Sequence, residues 1–392
     1  MAVNNMDFNQ LATVLTELTQ QATGEAQITP TNSAEFTSVG TTALAAGYDK
    51  LATAISQVLS RTIFSIRPYS RRFRGLEADS YRWGSVTRKL SLVDKDFEDA
   101  TRFELEDNTA PPSMFTVHKP EVVQENFYGA NIFDKAITIY RDQLDQAFQN
   151  EAQFSEFITM LLTNVSDMRE QSYETMSRAT IANLVGGIVA GPNATNQVIH
   201  LLTEYNEQTG LSLTDVTVYA PENFPAFIKW VYARVAELSS LLTERTAIYH
   251  TNIEDKVIRR HTPYDRQKVY LYAPLRYQID ARVIADVFHD SYLRFADTES
   301  VNFWQSLETP DEVQTTPVYL GTDGVLVTGE ATTVSKLFGV IFDEDAAGVQ
   351  FFNEWAAPTP FDSRNGMYNN WYHWTLRYWN SFTENAFVLC LD

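Results

Sequence analysis

The sequence predicts an α+β protein in which one unusually long helix precedes a group of strands near the end of the chain. Apolar residues recur at spacings of three and four from residue 151 to residue 185, the pattern of a helix with one buried face. The segments TPVYLGTDGVLVTGE, KLFGVIF and AFVLCL, all after residue 315, have the composition of strands. Helices and strands do not alternate regularly, and no repeat of about 20 to 50 residues is present, which argues against a parallel α/β fold and a solenoid.

The first 45 residues are predicted to form an arm outside the main core. One amphipathic stretch, Phe8 to Leu18, is followed by TGEAQITPTNSAEFTSVGTT, which carries few large apolar side chains. A short helix is expected next, within residues 46–68, because apolar side chains recur there on one helical face.

Residues 69–115 are expected to form an extended two-stranded ribbon that is polar on both faces. The first half of this segment is basic and the second half acidic, with too few large apolar residues for a lobe of its own. A ribbon of two strands is only marginally stable alone, so it would lie on a partner surface. Charge pairing within the ribbon or across a subunit boundary is favoured over phosphate binding for the arginines of RRFRG.

The helix of residues 151–185 is predicted to be a backbone on which other parts of the molecule lie. Some 35 residues at about 1.5 Å each span on the order of 50 Å. Gly186 and Gly187 follow the last apolar residue of the pattern and are expected to end the helix. A second helix fits residues 223–242, and VYLYAPLRYQIDARVIADVFH indicates a strand, a turn and a helix.

Aromatic residues are concentrated near the end of the chain, in YNNWYHWTLRYWNSF. Their spacing fits one face of a helix as well as the alternation of a strand, and a core role is favoured over a sugar-binding platform in either case. The residues predicted to be core aromatics are Trp371, Trp374, Tyr378 and Trp379.

The charge balance and the apolar pattern exclude several classes of protein. The formal net charge is −20, so the body should repel DNA, RNA and anionic lipid. No apolar run approaches the roughly 18 residues of a membrane span, and the N-terminus lacks the basic start of a signal peptide. Cys390 is the only cysteine, which excludes an internal disulfide and favours a buried, inert thiol.

The sequence contains no catalytic, cofactor-binding or metal-binding candidates. The phosphate-loop, dinucleotide, nucleophile-elbow and HExxH zinc motifs are absent from the sequence. The six histidines are scattered outside metal-ligand spacings. Paired carboxylates are expected by chance in a chain with 50 acidic residues, so the sequence predicts a protein that is not an enzyme.

Four segments in order resemble the major capsid proteins of tailed bacteriophages, which have the Hong Kong 97 fold. They are SYRWGSVTRKLSLVDKDFEDA, the segment from ENFYGANIFDKAITIY into the long helix, VYLYAPLRYQIDARVIADVFH, and NGMYNNWYHWTLRYWNSFTENAFVLCL. The likeness is greatest to the head proteins of small short-tailed phages of the Picovirinae kind. It implies an N-terminal arm (1–45), an N-terminal helix and link (46–68), an extended β-ribbon loop (69–115), a peripheral domain with a spine helix (116–190), an axial domain (191–330), and C-terminal strands that complete the peripheral domain (331–392).

The resemblance implies a structural protein that self-assembles, as hexamers and pentamers, into an icosahedral or prolate shell around viral DNA. A separate scaffolding protein, a portal protein, synthesis in the host cytoplasm and residence in the virion are expected, without sequence-specific DNA binding or a membrane. The residues expected at subunit contacts are Arg72, Arg74, Arg82, Trp83, Glu98, Asp99 and Glu104. Two alternatives remain open: an encapsulin-like compartment shell, and a carbohydrate-binding or carbohydrate-active protein that uses the aromatic tail.

Overall fold

The computed structural model describes residues 8–24, 29–61, 71–78, 87–93, 115, 119, 121–148, 151–253, 256–279 and 298–392. Three helices begin the chain: α1 (Phe8–Thr23), α2 (Ser33–Ala45) and α3 (Tyr48–Arg61). Their apolar faces form one core cluster, in which Leu15, Phe36 and Ile55 are fully buried. The expectation that residues up to 45 lie outside the core is therefore corrected. Gly40 explains how α2 fits, because a Cβ there would lie 2.4 Å from the carbonyl oxygen of Phe148.

An antiparallel ribbon follows, formed by β1 (Thr87–Leu92) and β2 (Val122–Phe127). Thr87 lies opposite Phe127, and Leu92 lies opposite Val122. The return strand thus begins after residue 115, beyond the predicted end of the extended loop. The pattern of charged residues could not locate this strand, because VVQENF lacks the run of charges by which residues 69–115 were recognised.

A 40-residue helix organises the rest of the molecule. The strand β3 (Ala130–Tyr140) and the short helix α4 (Arg141–Ala147) lead into α5 (Glu151–Ala190), which is about 60 Å long. The predicted end at Gly186 and Gly187 was wrong, because the helix continues to Ala190. Both glycines are needed inside the helix for close packing: a Cβ on Gly186 would lie 2.3 Å from Thr315, and one on Gly187 would lie 2.5 Å from Phe382.

The second half of the chain supplies the remaining elements. The helices are α6 (Ala194–Gln197), α7 (Leu201–Thr209), α8 (Phe224–Leu241) and α9 (Ala273–Ile279). The strands are β4 (Val198–His200), β5 (Gln267–Tyr272), β6 (Thr298–Val301), β7 (Val313–Thr315), β8 (Val318–Leu320), β9 (Leu326–Thr328), β10 (Thr332–Val334), β11 (Leu337–Asp343), β12 (Ala347–Pro358), β13 (Met367–Asn380) and β14 (Ala386–Cys390). The helix predicted over 223–242 and the late grouping of strands are confirmed.

Two sheets pack on α5. A five-stranded mixed sheet has the order β4-β14-β11-β5-β6, with one face on the C-terminal part of α5 and the other on α7, α8 and α9. A three-stranded antiparallel sheet, β12-β13-β3, covers the middle of α5. The N-terminal part of α5 lies in the cluster formed by the first three helices. The long helix therefore joins three separate apolar cores, and the molecule is an α+β protein with a spine helix.

Candidate assembly surface

The two faces of the β1–β2 ribbon differ in chemistry. Its outer face exposes Leu90, Leu92 and Val122, which are 67%, 66% and 45% accessible. Leu92 and Val122 lie directly opposite each other, and Leu90 is two residues along β1 on the same face. The prediction of a ribbon polar on both faces was wrong, because strand alternation places these three apolar side chains together on the outer face, beside the polar Arg88, Gln124 and Asn126. A cluster of exposed apolar side chains on a ribbon is typical of a contact surface.

The inner face of the ribbon is fixed to the body by a buried polar network around Lys89. The ammonium nitrogen Nζ of Lys89 lies 2.5 Å from Oε1 of Glu384 and donates a 2.7 Å hydrogen bond to Oγ of Ser381. Glu125, on the partner strand, accepts hydrogen bonds of 2.9 Å from Ser381 and from Thr383. Both strands of the ribbon therefore bind the loop that joins β13 to β14.

Arg260 closes the same network from a third segment of the chain. Its Nη2 donates a 2.6 Å hydrogen bond to Oγ of Ser91 and lies 3.2 Å from the Glu384 carboxylate. Burial raises the pKa of Glu384 above its ordinary value, although Lys89 and Arg260 both oppose the rise. Removing one partner of a buried ion pair costs about 3–5 kcal/mol, so this network holds the base of the ribbon in one orientation.

The segment before the ribbon, residues 71–78, is anchored to the middle of α5. Arg71 forms ion pairs with Glu77 and with Glu170, the latter at 2.7 Å, and its guanidinium lies 4.1 Å from the centre of the Tyr173 ring. Burial raises the pKa of the Tyr173 phenol. The polar side of α5 is thus a binding surface for this segment.

The seven predicted contact residues fall into two groups. The backbone N–H of Arg72 donates a 3.2 Å hydrogen bond to Glu174, and the Arg72 and Arg74 side chains are exposed. Arg74 lies in a short 3₁₀ turn (Arg74–Leu76). The other five lie outside the described residues: Arg82, Trp83, Glu98, Asp99 and Glu104.

The aromatic residues of β13 alternate between the two faces of the three-stranded sheet. Trp374 is only 4% accessible, and its indole N–H donates a 2.7 Å hydrogen bond to Oγ of Ser172 on α5. Tyr378 and Trp379 are half-buried. The expectation that Trp371 is a core residue is corrected: it is 36% accessible, because its odd position in the strand places it on the face away from α5.

Three rings on that outer face stack on one another. The ring centres of Trp355 and His373 are 4.0 Å apart, and those of Trp371 and His373 are 6.2 Å apart, with both pairs nearly parallel. A sugar platform presents free ring faces side by side. Since Trp355 and His373 cover each other's faces, this arrangement does not favour the carbohydrate-binding alternative.

Sequence reasoning missed the residues that fix the ribbon: Lys89, Glu125, Arg260 and Glu384. The available signal was Glu384 in SFTENAFVLCL, a lone carboxylate beside an apolar strand. Its partners come from segments more than 100 residues away, so spacing along the chain could not identify them. Cys390 lies buried in β14, as expected, and burial together with Asp392 raises its pKa to about 12.

The described part of the chain contains neither a cluster of metal ligands nor a membrane-spanning helix. In those residues, no group of three or more His, Cys, Asp or Glu side chains is placed to hold a metal ion. None of the helices within the described ranges is long and apolar enough to cross a membrane.

The fold matches solved structures of phage capsids. The capsid structure of Staphylococcus phage Andhra aligns with a TM-score of 0.57 and 12% identity, covering 85% of this chain and 87% of that one. A chain in the structure of head fiber and inner core protein gp22 of native bacteriophage P68 aligns with a TM-score of 0.55, 12% identity and the same coverage. At this identity the likeness establishes the fold alone, and it confirms the predicted capsid fold.

The sequence also matches the model of a protein family. The model of the Phi29-like phage major capsid protein matches residues 11–390, which is nearly the whole chain. A search of curated proteins found no match. The family consists of phage head proteins rather than encapsulins or carbohydrate-binding proteins, so the predicted shell-forming function and place in the virion capsid are confirmed. The chain belongs to the Phi29-like phage major capsid protein family.

Proposed function

We propose that copies of this chain assemble as hexamers and pentamers into a closed icosahedral or prolate shell around the packaged viral DNA. The observation that carries the proposal is the β1–β2 ribbon, whose base is fixed by buried ion pairs while its outer face exposes Leu90 and Leu92. Closed shells need one fixed surface on each copy that meets a second surface on the next. The chain acts through such surfaces and has no catalytic role.

The ribbon gains stability from being covered. Fully burying a leucine side chain stabilises a protein by roughly 1.5–3 kcal/mol. The two exposed leucines of β1 would contribute this free energy only when a second subunit covers them. Arg72 and Arg74, whose side chains are exposed within the segment that is anchored on α5, would add polar contacts at the rim. We propose that the same neighbour is contacted by five residues that follow this segment in the sequence: Arg82, Trp83, Glu98, Asp99 and Glu104.

The remaining partners follow from charge and from the use of the N-terminal helices. A net charge of −20 supports enclosure of DNA without sequence-specific binding. The helices α1, α2 and α3 belong to the subunit's own core and do not serve as a scaffolding segment. As the capsid resemblance implies, we further propose a separate scaffolding protein, and a portal protein for genome entry. Synthesis takes place in the host cytoplasm.

The test is a double substitution on the outer ribbon face, Leu90→Asp with Leu92→Asp. Both side chains are exposed in the subunit, so folding should be retained, while assembly should be lost because two charges would be buried at the contact. Electron microscopy and light scattering of the protein, with scaffold or virion components supplied, measure shell formation.

Leu307→Asp is the matched control, because Leu307 is 76% accessible and lies outside the ribbon. The control should assemble as the unchanged protein does. Normal shells from the double variant, with circular dichroism showing both variants folded, would contradict the proposed role of the ribbon.

A further inference from the structure

A cavity of about 470 Å³ lies in the second half of the chain, separate from the ribbon network. It opens beside α8 and α9, near the start of β11 and the end of the chain. Its walls combine aromatic rings, aliphatic side chains and two charged groups. The residues that matter for its chemistry are Tyr219, Phe224, Tyr272, Asp311 and Lys336.

Asp311 provides a carboxylate close to two phenols. Burial first, and then the negative charge of Asp311, raise the pKa values of Tyr219 and Tyr272. Within the described ranges, no lysine, arginine or histidine nitrogen lies within 4.0 Å of the Asp311 carboxylate, nor does that carboxylate accept a hydrogen bond. The cavity therefore contains an acidic group whose charge is not neutralised by the subunit itself.

Lys336 does not cancel this charge, because it is paired elsewhere. Its Nζ lies 2.6 Å from Oδ2 of Asp215, and that hydrogen bond raises the pKa of Lys336. Lys336 has a φ of 53°, in the left-handed region that a non-glycine residue rarely adopts. The backbone holds it there, since the N–H of Leu337 donates to the carbonyl of Asp311 at 2.9 Å and that of Leu391 donates to the carbonyl of Lys336 at 3.0 Å. A constrained backbone of this kind, beside a cavity, fits a binding site.

Aromatic rings beside an unpaired carboxylate form a site for a cation. The rings of Tyr219 and Phe224 lie 5.3 Å apart and tilted, and ring faces attract ammonium and guanidinium groups. A planar guanidinium can stack on a ring and bind a carboxylate at the same time, which an ammonium group does less well. The cavity volume is ample for one arginine side chain.

We propose that this cavity binds an arginine side chain of a second copy of the chain, an inference that rests on the proposed shell function. Identical chains meet in such a shell, and three arginine side chains are exposed without an ion pair in the described part of the chain: Arg72, Arg88 and Arg364. Insertion of a side chain into a cavity of the next copy is a heterologous contact, the kind that generates rings when it closes.

The chemistry is tested first on dispersed, full-length subunits by calorimetric titration with the peptide acetyl-Gly-Arg-Gly-amide. Its citrulline counterpart has nearly the same shape but no charge. The arginine peptide should bind at least about tenfold more tightly than the citrulline peptide, because only it can pair with Asp311. Asp311→Asn should remove this difference. Glu330→Gln, which neutralises an exposed acid outside the cavity, should keep it.

Equal binding of the two peptides, or tighter binding of acetyl-Gly-Glu-Gly-amide, would overturn the proposed ligand class. The source of the arginine is tested on assembled shells, in which the neighbouring copy should already fill the cavity. Shells should therefore bind the arginine peptide at least about tenfold more weakly than dispersed subunits do. Shells that bind it equally well would show that a second copy is not the occupant. Failure to form shells at all would instead count against the proposed function.

Discussion

At the scale of single residues, the most informative group is Glu384. Its carboxylate is buried between Lys89 of the ribbon and Arg260, and burial raises its pKa above the ordinary value of 4.5. Just above that value the folded state keeps a proton that the unfolded chain has lost. Raising the pH through this window therefore lowers the free energy of unfolding, and the loss is complete once the pH exceeds the raised pKa.

The prediction is that Glu384→Gln removes this pH dependence. As pH rises from about 4.5 through the raised pKa, the unfolding free energy of the variant should increase relative to that of the unchanged protein. Denaturant unfolding at a series of pH values measures the difference. Glu330→Gln serves as the control and should run parallel to the unchanged protein. A pH-independent difference for Glu384→Gln would contradict the role assigned to burial.

At the scale of elements, α5 shows how packing overrides intrinsic helix preference. Gly187 is unfavourable in a helix by roughly 1 kcal/mol relative to alanine, yet it lies within α5. The reason is Phe382, whose ring occupies the space that a Cβ would need. The glycine permits the loop after β13, which carries the ribbon network, to lie against the long helix.

Gly187→Ala is expected to destabilise the protein by about 1–3 kcal/mol, because the new methyl group would overlap the buried Phe382 ring. Helix preference alone predicts the opposite sign, a gain of roughly 1 kcal/mol. The exposed Ala179 on the same helix calibrates that term: Ala179→Gly should cost about 1 kcal/mol. Denaturant unfolding of both variants decides between packing and preference, and a more stable Gly187→Ala protein would contradict the packing argument.

At the scale of the whole molecule, the excess of acidic over basic residues weakens attraction between the subunit and DNA. Fifty acidic residues against 30 lysines and arginines leave little attraction for a polyanion. Much of the basic charge is also engaged in ion pairs within the subunit, as Arg71, Lys89 and Arg260 are.

We therefore expect no retention of duplex DNA by the dispersed protein at about 150 mM salt, where nonspecific binding depends on released counterions. Gel-shift or filter-binding experiments with two unrelated duplexes measure this. Binding that weakens steeply with salt would show a phosphate-binding surface and contradict the expectation. A preference for one duplex would contradict the absence of sequence-specific recognition.

Four features could be predicted from the amino-acid sequence: the class of fold, the long helix, the helix over 223–242 and the late strands. These follow from local periodicity and composition, which act within a few turns or strand residues. It also supported the capsid resemblance through the order of its segments. The candidate contact residues could be assigned only to a charged stretch of the sequence, because an extended loop has little hydrophobic periodicity from which to predict contacts.

Which side of each helix or strand is buried depends on how the elements pack together. The burial of Trp374 and exposure of Trp371 depend on strand register against β3 and β12, which the aromatic spacing left open. The network of Lys89, Glu384 and Arg260 joins segments distant in sequence, and Gly187 remains helical because Phe382 packs against it. Periodicity is a local property of the chain, whereas register, close packing and buried ion pairs exist only after distant segments meet.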